Sequence, residues 1–352
     1  MQVILGIIYH TIGGISSGSF YMPFKKVKDW AWESYWIIGG LFSWLIVPPI
    51  AAYLTVPDFT AVITEGASAV KSFVFTMGLL WGIGGLTYGL GVRYLGMSLG
   101  NSVTLGFCSA FGALIPAIYY AINPTEGKTS ITNMFSSSGG QLVLLGTLVC
   151  LIGIAVLGKS GVMKEADLTA EQKKASTKEF NLTKGLIIAI ISGILSAFFN
   201  FGIEGGKPLA EAALAKGSNP LFVNNVTYIV LMWGGLTTNF IWCMYLNFKN
   251  KTFGDYTNSQ TPIASNILFA GIAGTMWFLQ FFFYGMGESK LGNGASSWIL
   301  HMATIILTAN IWGLYLKEWS NVSKKTFNTF LVGILLMLAS IVLVGIGNSI
   351  KG

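Results

Sequence analysis

Apolar residues in this chain come in runs of about twenty, one after another, separated by short polar gaps. The runs stand near residues 2–20, 34–54, 70–91, 98–121, 140–157, 185–203, 221–247, 262–285, 293–316 and 328–348. A helix rising about 1.5 Å per residue needs about 20 residues to cross a hydrocarbon core roughly 30 Å thick. Lipid offers no partner to backbone N–H and C=O groups, so each crossing segment must satisfy its own, which a helix does. The expected fold is an all-α polytopic membrane protein with ten transmembrane helices.

Composition agrees. Of 352 residues, 53% are hydrophobic and 10% charged, with 44 glycines and a mean hydropathy of +0.64. That is too little charge to coat a soluble globule of this size. The net charge of +7 is spread in short basic clusters between apolar runs, the pattern of membrane topology and not of a nucleic-acid surface. No nucleic-acid partner is expected. Lys25, Lys26 and Lys28 follow the first run, whereas a signal peptide carries its positive charge ahead of one, so the first helix is expected to be retained. Cys108, Cys150 and Cys243 lie in apolar runs without CxxC spacing, which indicates neither a disulfide framework nor a metal site.

The one long hydrophilic interruption, residues 159–184, mixes charges and is rich in Ala, Glu and Lys. It reads as a solvated helical linker and divides the chain into two five-helix parts, 1–158 and 185–352. Fifteen Lys and Arg residues fall in the odd-numbered loops and five in the even-numbered ones, which puts the odd loops and the linker in the cytoplasm and both termini outside. The two parts also resemble each other. A shift of 196 residues lays Gly78, Trp81, Tyr88, Gly89 and Gly91 onto Gly274, Trp277, Tyr284, Gly285 and Gly287. A shift of 179 lays Gly6, Gly14, Ile15, Ser17 and Phe20 onto Gly185, Gly193, Ile194, Ser196 and Phe199. Both shifts join helices five apart, and an odd number of crossings turns the second copy upside down. This is the inverted-repeat plan of a secondary transporter.

Ionisable residues inside such runs are expensive, at about 2.5 to 3.5 kcal/mol each on insertion scales, and are default functional candidates. His10 and His301, the only histidines, lie within apolar runs, and Glu204 and Lys207 close the sixth. Ser192, Ser196, Asn200 and Glu204 recur every four residues and make one polar stripe; Ser297, His301, Thr304 and Thr308 make another. Stripes of this kind are expected to face protein or water. Either they bind substrate and proton, or they bond neighbouring helices. The expected proton carriers are Glu204, His301 and His10.

Trp277, Gln280 and Tyr284 share a face of the eighth run, and their repeat mates include Trp81 and Tyr88. Aromatic faces beside amides suit a sugar, whose C–H faces pack on rings while its hydroxyls meet polar groups. The candidate substrate-binding set is Trp277, Gln280, Tyr284, Asn200, Ser196, Ser17, Trp81, Tyr88 and Asn101. Glycines 13, 14, 18, 82, 84, 85, 89 and 91 are expected to let helices approach closely.

Residues 153–160, GIAVLGKS, spell a phosphate-loop motif. That motif needs a strand before it and a loop around phosphate; here an apolar helix precedes it, Gly158 suits a helix end, and no nucleotide is expected. No Ser-His-Asp order, HExxH or GxSxG occurs, so the chain is not expected to be an enzyme.

The motifs FYMPFKKVKDWAWE from Phe20, WGIGGLTYGLGVRYLGMSLG from Trp81, EFNLTKG from Glu179, KP at Lys207, MWFLQFFFYGMG from Met276, SWILHM from Ser297 and LKEW from Leu316 resemble the L-rhamnose/proton symporter family of the drug/metabolite transporter superfamily. The resemblance runs from the first helix to the last. It implies a bacterial inner-membrane protein that takes up a 6-deoxyhexose, L-rhamnose above all, with a proton as the coupling ion. No cofactor is expected, and the chain is expected to act as a monomer or homodimer. Two segments depart from the family pattern: NFGIEGG at 200–206, with Glu204, and the stretch between Gly287 and Trp298, which is shorter and less aromatic. A proton-independent exporter or exchanger of the same superfamily would share the architecture and stays open at this point.

Overall fold

The computed structural model describes residues 1–95, 97–124, 129–167, 181–315, 319 and 322–350. Among the described residues there is no strand. Ten helices of the described residues are long and apolar enough to cross a membrane, here numbered as spans 1 to 10: Gln2–Phe24, Trp32–Thr55, Ser68–Tyr88, Val103–Ile122, Ser138–Lys164, Thr183–Ala215, Asn225–Asn250, Ile263–Leu291, Ser296–Tyr315 and Lys324–Ser349.

Three spans differ from the sequence reading. Span 5 does not end at Gly158. Its helix continues through the whole phosphate-loop look-alike to Asp167, because nothing there breaks it: Gly153 lies against Leu336 and Met337, the Ser160 hydroxyl bonds the Leu157 carbonyl at 2.7 Å, and Lys164 sits over the Trp319 ring at 4.9 Å. The start of the expected linker is thus helix, while residues 168–180 lie outside the described residues. Span 6 does not stop near Glu204 but turns at Gly206 into a further helix, Lys207–Ala215. Span 2 contains a π-helical segment, Leu41–Ile46. Pro48 and Pro49 follow it, and their missing N–H groups leave the carbonyls of residues 44 and 45 without the usual donors; the ladder slips so that the Val47 N–H reaches back five residues to Phe42.

The chain forms two compact units. The first comprises Met1–Gly14, Gly84–Ala197 and Lys290–Gly352. Within it span 10 lies along span 5, and span 4 packs on spans 5 and 9. Small residues bring these helices close: the backbones of Gly139 and Gly347 meet, and the Ser340 hydroxyl donates to the Gly146 carbonyl at 2.9 Å. The second unit comprises Ile15–Ile83 and Phe198–Ser289. There span 2 packs on span 7, and Gly78 meets the Leu231 carbonyl. Each unit therefore mixes segments from before and after the linker, and helices five apart (2 with 7, 4 with 9, 5 with 10) pack on each other.

Loop contacts respect parity. In the second unit Lys28 and Asn266 exchange two hydrogen bonds, N–H to Oδ1 at 3.0 Å and Nδ2 to O at 2.8 Å, joining loop one to the start of span 8 beside loop seven. The Ala31 N–H and the Ser34 hydroxyl both donate to Asp255. Buried Glu33 accepts from Asn250 and Thr252, each at 2.9 Å. The FYMPFKKVKDWAWE stretch thus latches onto loop seven and its flanks. At the other end Ser218 and Asn225 bond Thr55, joining loops two and six. In the first unit Asp167 accepts from the Thr326 hydroxyl and the Ser323 N–H, joining loops five and nine.

Candidate functional site

The second unit gathers most of the expected sugar-binding residues. Tyr284 and Asn200, both buried, face each other, the phenol donating to Oδ1 at 3.5 Å. Beside Asn200 on span 6, the Phe199 ring centroid is 4.4 Å from Phe281, 5.2 Å from Trp81 and 6.1 Å from Tyr228. Trp277 lies 4.6 Å from Phe20 and 6.2 Å from Phe281. Gln280 is buried and spends its Nε2 on the carbonyl of Trp277 at 3.0 Å, leaving its oxygen as the freer end. Ser17 is buried, and its neighbour Ser16 donates to the Met276 carbonyl at 2.9 Å. Trp81, Asn200, Trp277, Gln280 and Tyr284 therefore come together on spans 3, 6 and 8.

Two residues of this cluster were missed by sequence reasoning. Glu288 stands four residues on from Tyr284, as Glu204 stands four residues on from Asn200. Its carboxylate oxygen Oε2 is sealed from solvent, on the same helix as Tyr284. The signal was present, since an acidic residue at i+4 from a candidate tyrosine shares its helix face. Tyr228 carried no such signal. Its ring is almost fully buried, and its hydroxyl lies against Gly285 without a hydrogen-bond partner among the described residues. Glu204 itself is half-buried.

The first unit holds the histidines. His10 on span 1 and His301 on span 9 are both fully buried and meet edge to face, ring centroids 5.8 Å apart at 66°. Sequence distance hid this pairing. The Thr304 hydroxyl donates to the carbonyls of His301 at 2.8 Å and His10 at 3.1 Å, and Gly14 lets span 1 close against Thr304. All four members of the span 9 stripe are buried, as expected of polar residues that avoid lipid. Ser192 and Ser196 are buried too, but their hydroxyls bond backbone carbonyls, Gly84 at 2.9 Å and Gly193 at 2.6 Å. That geometry locks helices and leaves Ser196 little capacity for a ligand. Tyr88 is half-buried in this unit, and the side chain of Asn101 lies outside the described residues. Among the described residues no cluster of His, Cys, Asp and Glu is arranged to hold a metal ion.

Among the described residues ten helices are long and apolar enough to cross a membrane, and together with a full-length family match they define a multi-pass membrane protein of the symporter class. The family model of the L-rhamnose-proton symport protein matches residues 1–350. L-rhamnose-proton symporters of Yersinia pestis (strain Pestoides F) and Yersinia pseudotuberculosis (serotype O:1b, strain IP 31758) are each 39% identical to the chain over 350 residues, 98% of its length and 98% of theirs. The chain belongs to the L-rhamnose-proton symport protein family.

Proposed function

We propose that the chain takes up L-rhamnose together with a proton by alternating access in a bacterial inner membrane. Its relatives bear the name of that activity across their full length. The single observation that carries proton coupling is the buried edge-to-face pair His10–His301, inside helices whose surroundings would otherwise exclude ionisable groups. An imidazole can take up a proton at a ring nitrogen and release it again, which is the chemistry a proton carrier needs. Glu204 is the third proposed carrier. Trp277, Gln280, Tyr284, Asn200 and Trp81 would hold the sugar, with Ser17, Ser196, Tyr88 and Asn101 in support.

Residues 1–158 and 185–352 are read as inverted five-helix repeats in the manner of the drug/metabolite transporters, with 159–184 cytoplasmic and both termini outside. Support comes from the sequence shifts and from the packing of helices five apart on one another. A neutral sugar carried with one proton moves one charge inward, worth about 2.3 kcal/mol per 100 mV, or roughly fifty-fold accumulation.

The test is a thermal-stability panel on the purified protein. L-rhamnose at saturating concentration is expected to raise the melting temperature, because it binds the folded state alone. A panel in which another sugar stabilises and L-rhamnose does not would overturn the substrate assignment.

A further inference from the structure

Span 2 reads GGLFSWLIVPP from Gly39. Its π-helical segment places Ser43 and Trp44 where the slipped ladder shifts side chains off the ordinary helical register, a feature that recurs at functional sites. One turn earlier Gly39 lies against the backbone of Gly274 on span 8. With no side chains at that contact, the rings of Phe24, Trp36, Trp44, Phe20 and Trp277 stand around a gap. Trp36 is 6.1 Å from Phe24 in a stacked arrangement and 6.4 Å from Trp44 edge to face.

The polar atoms of this gap are unevenly used. The indole N–H of Trp36 donates to Asn239 Oδ1 at 3.1 Å. The indole N–H groups of Trp44 and Trp277 and the hydroxyl of Ser43 are all sealed from solvent and have no partner among the described residues. Buried donors without acceptors are rare in proteins, and three of them belong to residues in the wall of one gap, just beneath its apolar lining. We infer that this gap in the second unit is a sugar subsite, in which Ser43, Trp44 and Trp277 supply the donors and the surrounding rings pack the sugar's apolar face.

The chemistry selects the ligand class. Donors in a wall that holds no carboxylate among its described residues suit neutral hydroxyl and ring oxygens, and a wall that is mostly aromatic suits C–H faces and a methyl edge, as a 6-deoxyhexose presents. As it stands the gap is of water size, so the sugar enters as the walls on spans 2 and 8 part. This inference rests on the proposed transport of L-rhamnose and adds Ser43, Trp44 and the span 2 wall to it.

The test measures L-rhamnose dissociation constants for wild type, Ser43→Ala, Trp44→Phe and Trp277→Phe, with Trp242→Phe, on the exposed face of span 7, as control. Each of the first three is expected to bind about tenfold more weakly, the scale of one lost hydrogen bond in a dry site, and the control unchanged. A second readout is insensitive to folding losses: labelling of Ser43→Cys by a methanethiosulfonate reagent, expected to slow at least threefold when L-rhamnose is added. Wild-type affinity in Ser43→Ala and Trp44→Phe, or labelling indifferent to L-rhamnose, overturns the subsite while leaving transport intact. Absence of L-rhamnose binding to wild type overturns the transport reading and the subsite together.

Discussion

His10 and His301 are separated by 291 positions in the chain, yet their rings meet edge to face at 5.8 Å, both wholly buried. Two imidazoles this close repel each other once both are charged, so the pair is suited to carrying one proton between them. Replacement of either by glutamine is expected to reduce proton-driven L-rhamnose accumulation at least tenfold while leaving sugar exchange across the membrane in place. Uptake and counterflow measured on the same vesicles distinguish lost coupling from lost binding.

Aromatic stacking makes a different prediction. Trp277 stands among Phe20 and Phe281 in the second unit, whereas Phe282 pairs with Phe222 at 5.5 Å. Trp277→Ala is expected to weaken L-rhamnose binding at least tenfold and Phe282→Ala less than threefold, as read by titration calorimetry. Equal effects would remove Trp277 from the sugar site.

Helix contacts can be tested through glycine. A Cβ on Gly274 would overlap the carbonyl of Gly39, whereas one on Gly85 would meet nothing within 4 Å. Gly274→Ala is expected to destabilise the fold by about 1–3 kcal/mol through overpacking, and Gly85→Ala to stabilise it by about 0.5–1 kcal/mol through helix propensity. Melting temperatures of the two variants in one detergent check the contrast.

At the end of span 5, the Thr326 hydroxyl and then the Ser323 N–H hold the Asp167 carboxylate below its ordinary value of 3.8. A carboxylate depressed in the folded state contributes stability above its unfolded pKa and loses it as pH falls through the folded one. This contact between loops five and nine should therefore persist at neutral pH and open only below about pH 3.8. Hydrogen exchange at the Ser323 amide is expected to be slow from pH 7 to pH 4 relative to Asp167→Ala, and the difference to vanish at lower pH.

Much of this architecture was legible in the sequence because lipid imposes it. Ten apolar runs gave ten helices, and the polar stripes came out buried except at half-buried Glu204, since both follow from backbone satisfaction and burial along a single helix. What lay between helices was hidden. The spacing of His10 and His301 says nothing of their contact, and Ser43 and Trp44 owe their placement to a π-helical slip whose trace in the sequence is two prolines further on. The end of span 5 was misread at Gly158 because glycine is permitted at a helix end without requiring one, and packing against span 10 decided otherwise. The Tyr21–Glu33 stretch marked a boundary from its charges. Its role as a latch needed the partners Asn250, Thr252, Asp255 and Asn266, more than two hundred residues away.

The central claim is that sugar and proton move together. The measurement is external pH in a lightly buffered suspension of proteoliposomes when L-rhamnose is added without any imposed gradient. Coupled entry predicts prompt alkalinisation outside the vesicles, abolished by a protonophore and absent from vesicles carrying His10→Gln/His301→Gln. L-rhamnose counterflow at full rate with no change in external pH would contradict it and make the protein a proton-independent exchanger.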